Sequence, residues 1–424
     1  MFKHQLDKSA FISKFNTHVY AESIRMLNFI GIALERIGIS PANRSEGALM
    51  EAACRHTGLS DWGDELFRDA LSILLESYRK DADLSLFGWM IVHSDLIHHL
   101  KNRLLIQDTI KRFPKITDEK IRQPIFIVSL PRTGTTLLQR LLSLDTSNRS
   151  PLTWEMITPA PPPTPQTHGT DIRIRHAIKM LKNLYRIAPQ LPHIHAVQAT
   201  EPEECVTLLA NSLVFPSFAG NANLKRYIEW IEKQDMTLSY QYHRLQLQML
   251  QFYFPKKRWV LKAPLHMLYL NEIINVFPDA CIVQTHRNPL EVVPSTCSLM
   301  FTSRKMLSNS VKPEIIGQQA LEITKQMIAD CNHTRNGRNA NRFFDISYDE
   351  LTRRPLETVS KIYDYFGFDF SDDFQERIRR YLKENPKNKH GVHRYSLEQF
   401  GLYPDEIREG FSEYCQSFSI EIEE

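Results

Sequence analysis

Apolar residues along this chain keep two different rhythms. Up to about residue 115 they recur three and four apart, as over 65–75 and 97–106, and turn signals at 60–64 and 112–114 divide the segments, so helices are predicted. From residue 125 short β-branched and aromatic runs take over, at 125–130, 258–262, 280–285 and 342–346, each followed by helical spacing. Between the first two runs, 171–184, 203–213 and 239–252 also read as helices, while the prolines of 159–165 require an extended segment. Strands alternating with helices imply βαβ units and a parallel sheet. The expected fold is α/β: a parallel β-sheet flanked by helices over 116–424, with a helical insertion at about 165–255, preceded by a helical N-terminal extension over 1–115.

Composition adds bounds. The 424 residues are 42% apolar and 24% charged, ordinary for a globular protein, and the net charge of +3 is far from that of a nucleic-acid binder. An anion site must therefore be local. Six cysteines without a C-x-x-C pair argue against a zinc site or redox motif, so no metal is expected. Reduced thiols, and an N-terminus lacking the apolar stretch of a signal peptide, lead us to expect a cytoplasmic protein. No run reaches the roughly 20 apolar residues of a membrane span.

The densest chemistry lies in 123–142. A buried strand stops at Pro131, passes through Arg132-Thr133-Gly134-Thr135-Thr136 and resumes with leucines at helical spacing. Such a turn aims backbone N–H groups and the positive end of a helix dipole at one point, beside a guanidinium and three hydroxyls: an anion cradle. A plain turn whose glycine only permits a tight bend leaves that density of polar groups unexplained. A nucleoside-triphosphatase loop reads G-x-x-x-x-G-K-S/T, but here Ser129 stands at the first glycine, Thr135 at the lysine, and the cation has moved to Arg132. Arg132, Lys262, His266 and Arg287 all fall beyond the carboxyl ends of predicted strands, where parallel sheets bind ligands.

The loop, of the form P-K/R-S/T-G-T-T, resembles the P-loop-like 5′-phosphosulfate loop of sulfotransferases, which use 3′-phosphoadenosine 5′-phosphosulfate (PAPS). A second family signature, R-x-P with a serine eight residues after the arginine, matches Arg287, Pro289 and Ser295; the resemblance gives these to the cofactor's 3′-phosphate. Tyr348-Asp349-Glu350-Leu351 is similar to the family's Y-E-D-L segment, and 393–402 to its basic closing loop, with Lys389 and Arg394 as candidate phosphate contacts. The resemblance spans about 123–402 and implies that Arg132, Thr133, Gly134, Thr135, Thr136, Arg287, Ser295, Tyr348, Lys389 and Arg394 bind the cofactor. It further implies that Lys262 neutralises the leaving oxygen.

For the general base, His266 is read ahead of Glu155. The family's cytosolic enzymes carry a K-x-H base here and this chain has K-x-x-x-H, whereas Glu155 resembles the catalytic glutamate of tyrosylprotein sulfotransferases. Glu201, Glu203 and Glu204 read mainly as dipole complements at a helix start. Leu213, Val214, Phe215, Phe218, Tyr227 and Trp230 suggest a small apolar or phenolic hydroxyl acceptor, or simply core. The expected function is PAPS-dependent sulfuryl transfer to a hydroxyl. A magnesium–ATP P-loop kinase and a non-catalytic nucleotide-binding protein are the alternatives, and oligomeric state stays open.

Overall fold

The computed structural model describes residues 22–36, 45–189, 191–194, 196–254, 257–335, 337–385 and 396–422. Five strands carry the architecture: β1 (Ile125–Val128), β2 (Asn148–Arg149), β3 (Arg258–Lys262), β4 (Cys281–His286) and β5 (Phe343–Ser347). They form one sheet in the order β2-β3-β1-β4-β5, every neighbouring pair parallel. Ile127 of β1 lies level with Lys262 on one side and Val283 on the other.

All four β1 residues are buried, because helices cover both faces. Ile125 and Ile127 point to one face, where they meet Leu138, Leu141 and Leu142 of α5 (Thr135–Leu142) and Val359, Ile362 and Tyr363 of α11 (Pro355–Phe366). Phe126 and Val128 point to the other, into a core shared with Val292, Val293 and Cys297 of α9 (Pro289–Lys305). The described residues open with α1 (Glu22–Arg36), and the second core also takes in the N-terminal helices α2 (Glu46–Thr57), α3 (Leu66–Lys80) and α4 (Leu86–Arg112), through Leu49, Leu71, Leu74 and Leu100. The N-terminal helical region thus packs into the core of the sheet.

The helical region after β2 includes α6 (Thr153–Ile157), α7 (Ile172–Ile187) and α8 (Thr237–Gln251), and α10 (Tyr348–Arg353) and α12 (Ser412–Ser417) follow later in the chain. β1 continues through α5 towards β2 on one side, whereas β4 continues through α9 towards β5 on the other. Where the connections of adjacent strands diverge in this way, a crevice opens at their carboxyl ends. It lies between β1 and β4.

Candidate active site

One wall of the crevice is the loop between β1 and α5. Arg132 and Gly134 both adopt left-handed backbone, with φ of +67° and +88°, and the intervening turn presents successive N–H groups ahead of the helix. Three hydroxyls tie the loop to the next strand. Thr285 donates to Ser129 Oγ at 2.8 Å and lies 2.7 Å from Thr133 Oγ1, while Ser129 Oγ and Thr133 Oγ1 are 2.5 Å apart. Thr133 is fully buried, so its side chain braces the loop from behind, and any part it plays in anion binding falls to its backbone. Thr135 is nearly buried, and Thr136 is exposed on the first turn of α5.

The opposite wall follows β4. Arg287 Nη1 donates to the carbonyl of Arg132 at 2.8 Å, Nη2 pairs with Glu291, and Nε is buried without a partner among the described residues. Its guanidinium stands 4.1 Å from the centre of the Tyr348 ring. That ring also crowds Gly134: a Cβ there would lie 3.3 Å from Tyr348 Cδ2 and 3.0 Å from Leu351 Cδ2. Loop, arginine and tyrosine are therefore assembled together, although 155 residues separate Arg132 from Arg287. Ser295 is buried on α9, directly after Pro294, which removes one helix hydrogen bond at that turn. Lys389 and Arg394 lie outside the described residues.

The floor holds Lys262 at the end of β3, only 1% exposed. Its Nζ donates to Glu204 Oε1 at 2.8 Å, and Glu203 Oε1 is 3.8 Å away. The glutamate segment is fixed over the sheet by Cys205 N–H on the Lys262 carbonyl at 2.8 Å and by Gln139 of α5, whose amide donates to the Glu203 carbonyl at 3.2 Å. Glu203 and Glu204 thus complete the surroundings of Lys262 and do more than complement a helix dipole.

Residues 124–372 match the profile of the sulfotransferase family. The chain belongs to that family. Among solved structures this sulfotransferase is similar to STF1 of Mycobacterium tuberculosis, at 32% identity, 87% of this chain, 99% of the other and a TM-score of 0.79. It is also similar to STF9 of Mycobacterium avium, at 26% identity, 89% and 98% coverage and a TM-score of 0.82. A curated relative is the omega-hydroxy-beta-dihydromenaquinone-9 sulfotransferase Stf3 of Mycobacterium bovis, 23% identical over 298 residues, 69% of this chain and 74% of the relative. The protein is a sulfuryl-transferring enzyme, and between the readings left open by the sequence these matches decide against a kinase.

Within the sulfotransferase the two expected bases occupy unexpected places. His266 is wholly buried: its Nδ1 bonds the Tyr240 hydroxyl at 2.9 Å, its ring packs edge-on to Phe126 with centroids 5.2 Å apart, and Nε2 meets no partner among the described residues. Burial, with nearby His243, holds it neutral far below the ordinary histidine range. The imidazole is a core group without access to an acceptor in this structure. Glu155 is 0% exposed as well. Its Oε1 accepts from Arg149 Nη2 at 2.5 Å and lies 3.2 Å from His168 Nε2, while Oε2 accepts from the Leu152 N–H at 3.0 Å. Burial works to raise its pKa, but Arg149, His168 and that N–H outweigh it and hold the carboxyl below the usual range. It borders a cavity of about 370 Å³ shared with Arg140, Glu201 and Tyr381.

The aromatic run expected around an acceptor is mostly core. Phe215 and Tyr227 are fully buried and Phe218 nearly so, while Val214 borders a separate cavity of about 560 Å³ against Arg103 and Tyr242.

Proposed function

We propose that this sulfotransferase uses PAPS as sulfuryl donor and a small apolar hydroxyl compound as acceptor, with Lys262 and Glu204 at the reacting centre. The observation that carries the reading is the convergence of the left-handed loop, Arg287 and Lys262 at the carboxyl ends of adjacent parallel strands. This donor set fits an adenosine bisphosphate core. The loop amides and α5 N-terminus suit the 5′-phosphosulfate, and the buried unpartnered Nε of Arg287 supplies a further donor for the 3′-phosphate.

In this reading the acceptor oxygen attacks sulfur as its proton passes to the Glu204 carboxylate, and the bond from sulfur to the bridging oxygen breaks. The electron pair leaves on the 5′-phosphate of adenosine 3′,5′-bisphosphate, and Lys262 stabilises it there. Glu204 is favoured over the two bases expected from sequence because it stands 2.8 Å from Lys262 and is 22% exposed. Little covalent chemistry is asked of the protein, so rate comes from placement and charge, as in phosphoryl transfer.

The relative named for a hydroxylated dihydromenaquinone supports an apolar alcohol as acceptor class. Six unpaired cysteines support a cytoplasmic enzyme, and among the described residues no helix is long and apolar enough to cross a membrane. Calorimetry tests the donor assignment: adenosine 3′,5′-bisphosphate should bind without magnesium, and a preference for magnesium–ATP would overturn the proposal. A screen of alcohols and phenols with labelled PAPS tests the acceptor class.

A further inference from the structure

The sixteen residues of α7 contain five lysines and arginines, Arg173, Arg175, Lys179, Lys182 and Arg186, and no acidic residue. Ala177 and Leu181 are buried and pack with Ile174 and Tyr185 against Trp154, the neighbour of Glu155 in α6. Arg173 turns inward to the carbonyls of Thr158 and Pro161 and to Asp171. The other four basic residues follow the spacing i, i+4, i+7, i+11, which places them in a single stripe along the solvent crest. None of the four forms an ion pair among the described residues. Ile172 and Ile178 flank the stripe, exposed at 50% and 40%.

A solvated helix face in a chain of net charge +3 usually interleaves both signs, which lowers self-repulsion and adds i,i+4 pairs. This one does neither. We propose that the outer face of α7 is a docking surface for an anionic lipid membrane, the basic stripe meeting headgroup phosphates and the two isoleucines that flank it entering the headgroup boundary. Charge complementarity selects the partner, and the mixture of cations with exposed aliphatic groups selects a lipid surface over a purely ionic polymer. The surface binds peripherally, since the main apolar face of α7 is already committed to the protein core. Docked this way, the segment carrying Glu155 lies directly behind the membrane-facing helix.

Co-sedimentation of the full chain with vesicles tests this without donor or acceptor, so it stands or falls separately from the catalytic reading. Binding is expected to phosphatidylglycerol/phosphatidylcholine vesicles and not to pure phosphatidylcholine, and to fade as salt is raised. Each basic residue near an anionic surface contributes about a fivefold factor, so R175Q/K179Q/K182Q/R186Q should lower partitioning by at least about a hundredfold. I172S/I178S should weaken it too. The substituted side chains point to solvent, and an unchanged thermal midpoint confirms folding; should the quadruple variant fold poorly, the salt titration and the double variant decide. Wild-type failure on anionic vesicles, equal binding to both vesicle types, binding untouched by either variant, or capture by heparin but not by vesicles would each overturn the proposal.

Discussion

Glu204→Gln separates the two jobs assigned to the floor of the crevice, because it keeps the shape of the side chain while removing its charge. A fully buried ion pair broken on one side costs about 3–5 kcal/mol. Here the carboxylates of Glu204 and Glu203 are 22% and 15% exposed, and Glu203 stays 3.8 Å from Lys262. The folding cost should therefore fall below that range, because Glu203 still faces Lys262 and the new amide oxygen can accept from its Nζ. The catalytic cost is larger: a positioned base contributes about 10²–10⁴ in rate, or about 3–5 kcal/mol of barrier. Binding of adenosine 3′,5′-bisphosphate should be unchanged or tighter, since Lys262 loses its competitor for phosphate. Lys262→Met should do the converse, weakening bisphosphate binding as well as slowing transfer by about 10²–10³. Single-turnover transfer from labelled PAPS to the best acceptor found by screening, alongside calorimetry and urea unfolding, reads all three quantities. Turnover within about tenfold of wild type in a well-folded, bisphosphate-binding Glu204→Gln enzyme would refute the base assignment.

Other outcomes follow from the same geometry. Arg287→Ala should weaken binding of adenosine 3′,5′-bisphosphate far more than that of 5′-AMP; equal losses in calorimetry would detach Arg287 from the 3′-phosphate. Gly134→Ala asks a side chain to adopt φ +88° about 3.0 Å from Leu351, which costs about 1–2 kcal/mol for the backbone alone, so stability and bisphosphate affinity should both drop. Burial lowers the His243 pKa to about 3 and lowers that of His266 well below its ordinary value. Both groups take up protons on unfolding, so stability is retained above the unfolded-state value near 6.5 and lost as pH falls below it. His243 alone should cost about 1.2 kcal/mol between pH 7 and 5.5, and a urea midpoint that stays flat over that interval would contradict the burial.

The sequence announced what depends on neighbouring residues. The strands β1, β3 and β4 each hold a short apolar run because both faces of the sheet are covered there, the edge strand β5 keeps only Phe343, Phe344 and Ile346, and the loop at Pro131–Thr136 carries its chemistry within six positions. β2 was invisible: Asn148 and Arg149 have no strand signature and pair with β3 only because Arg258 and Trp259 lie alongside. The glutamates missed for the same kind of reason. Glu204 meets Lys262 across 58 residues, and nothing in Glu-Pro-Glu-Glu marks which carboxylate will face a lysine once the chain has crossed the sheet. His266 is the opposite case. A histidine four residues after a strand-end lysine reads as chemistry, but Pro264 starts a 3₁₀ turn that swings it under the sheet to Tyr240 and Phe126.

The hydroxyl knot of Ser129, Thr133 and Thr285 fastens the loop after β1 to β4, one residue before His286 and two before Arg287. Two anchoring points that would otherwise sit on independent loops thereby inherit the spacing of adjacent strands, about 4.8 Å and stiff. In the nucleotide reading the crevice is a fixed ruler. It should measure the separation of the two phosphate positions on the ribose, tolerate changes of base, and reject a 2′,5′-bisphosphate whose charges are identical but misplaced.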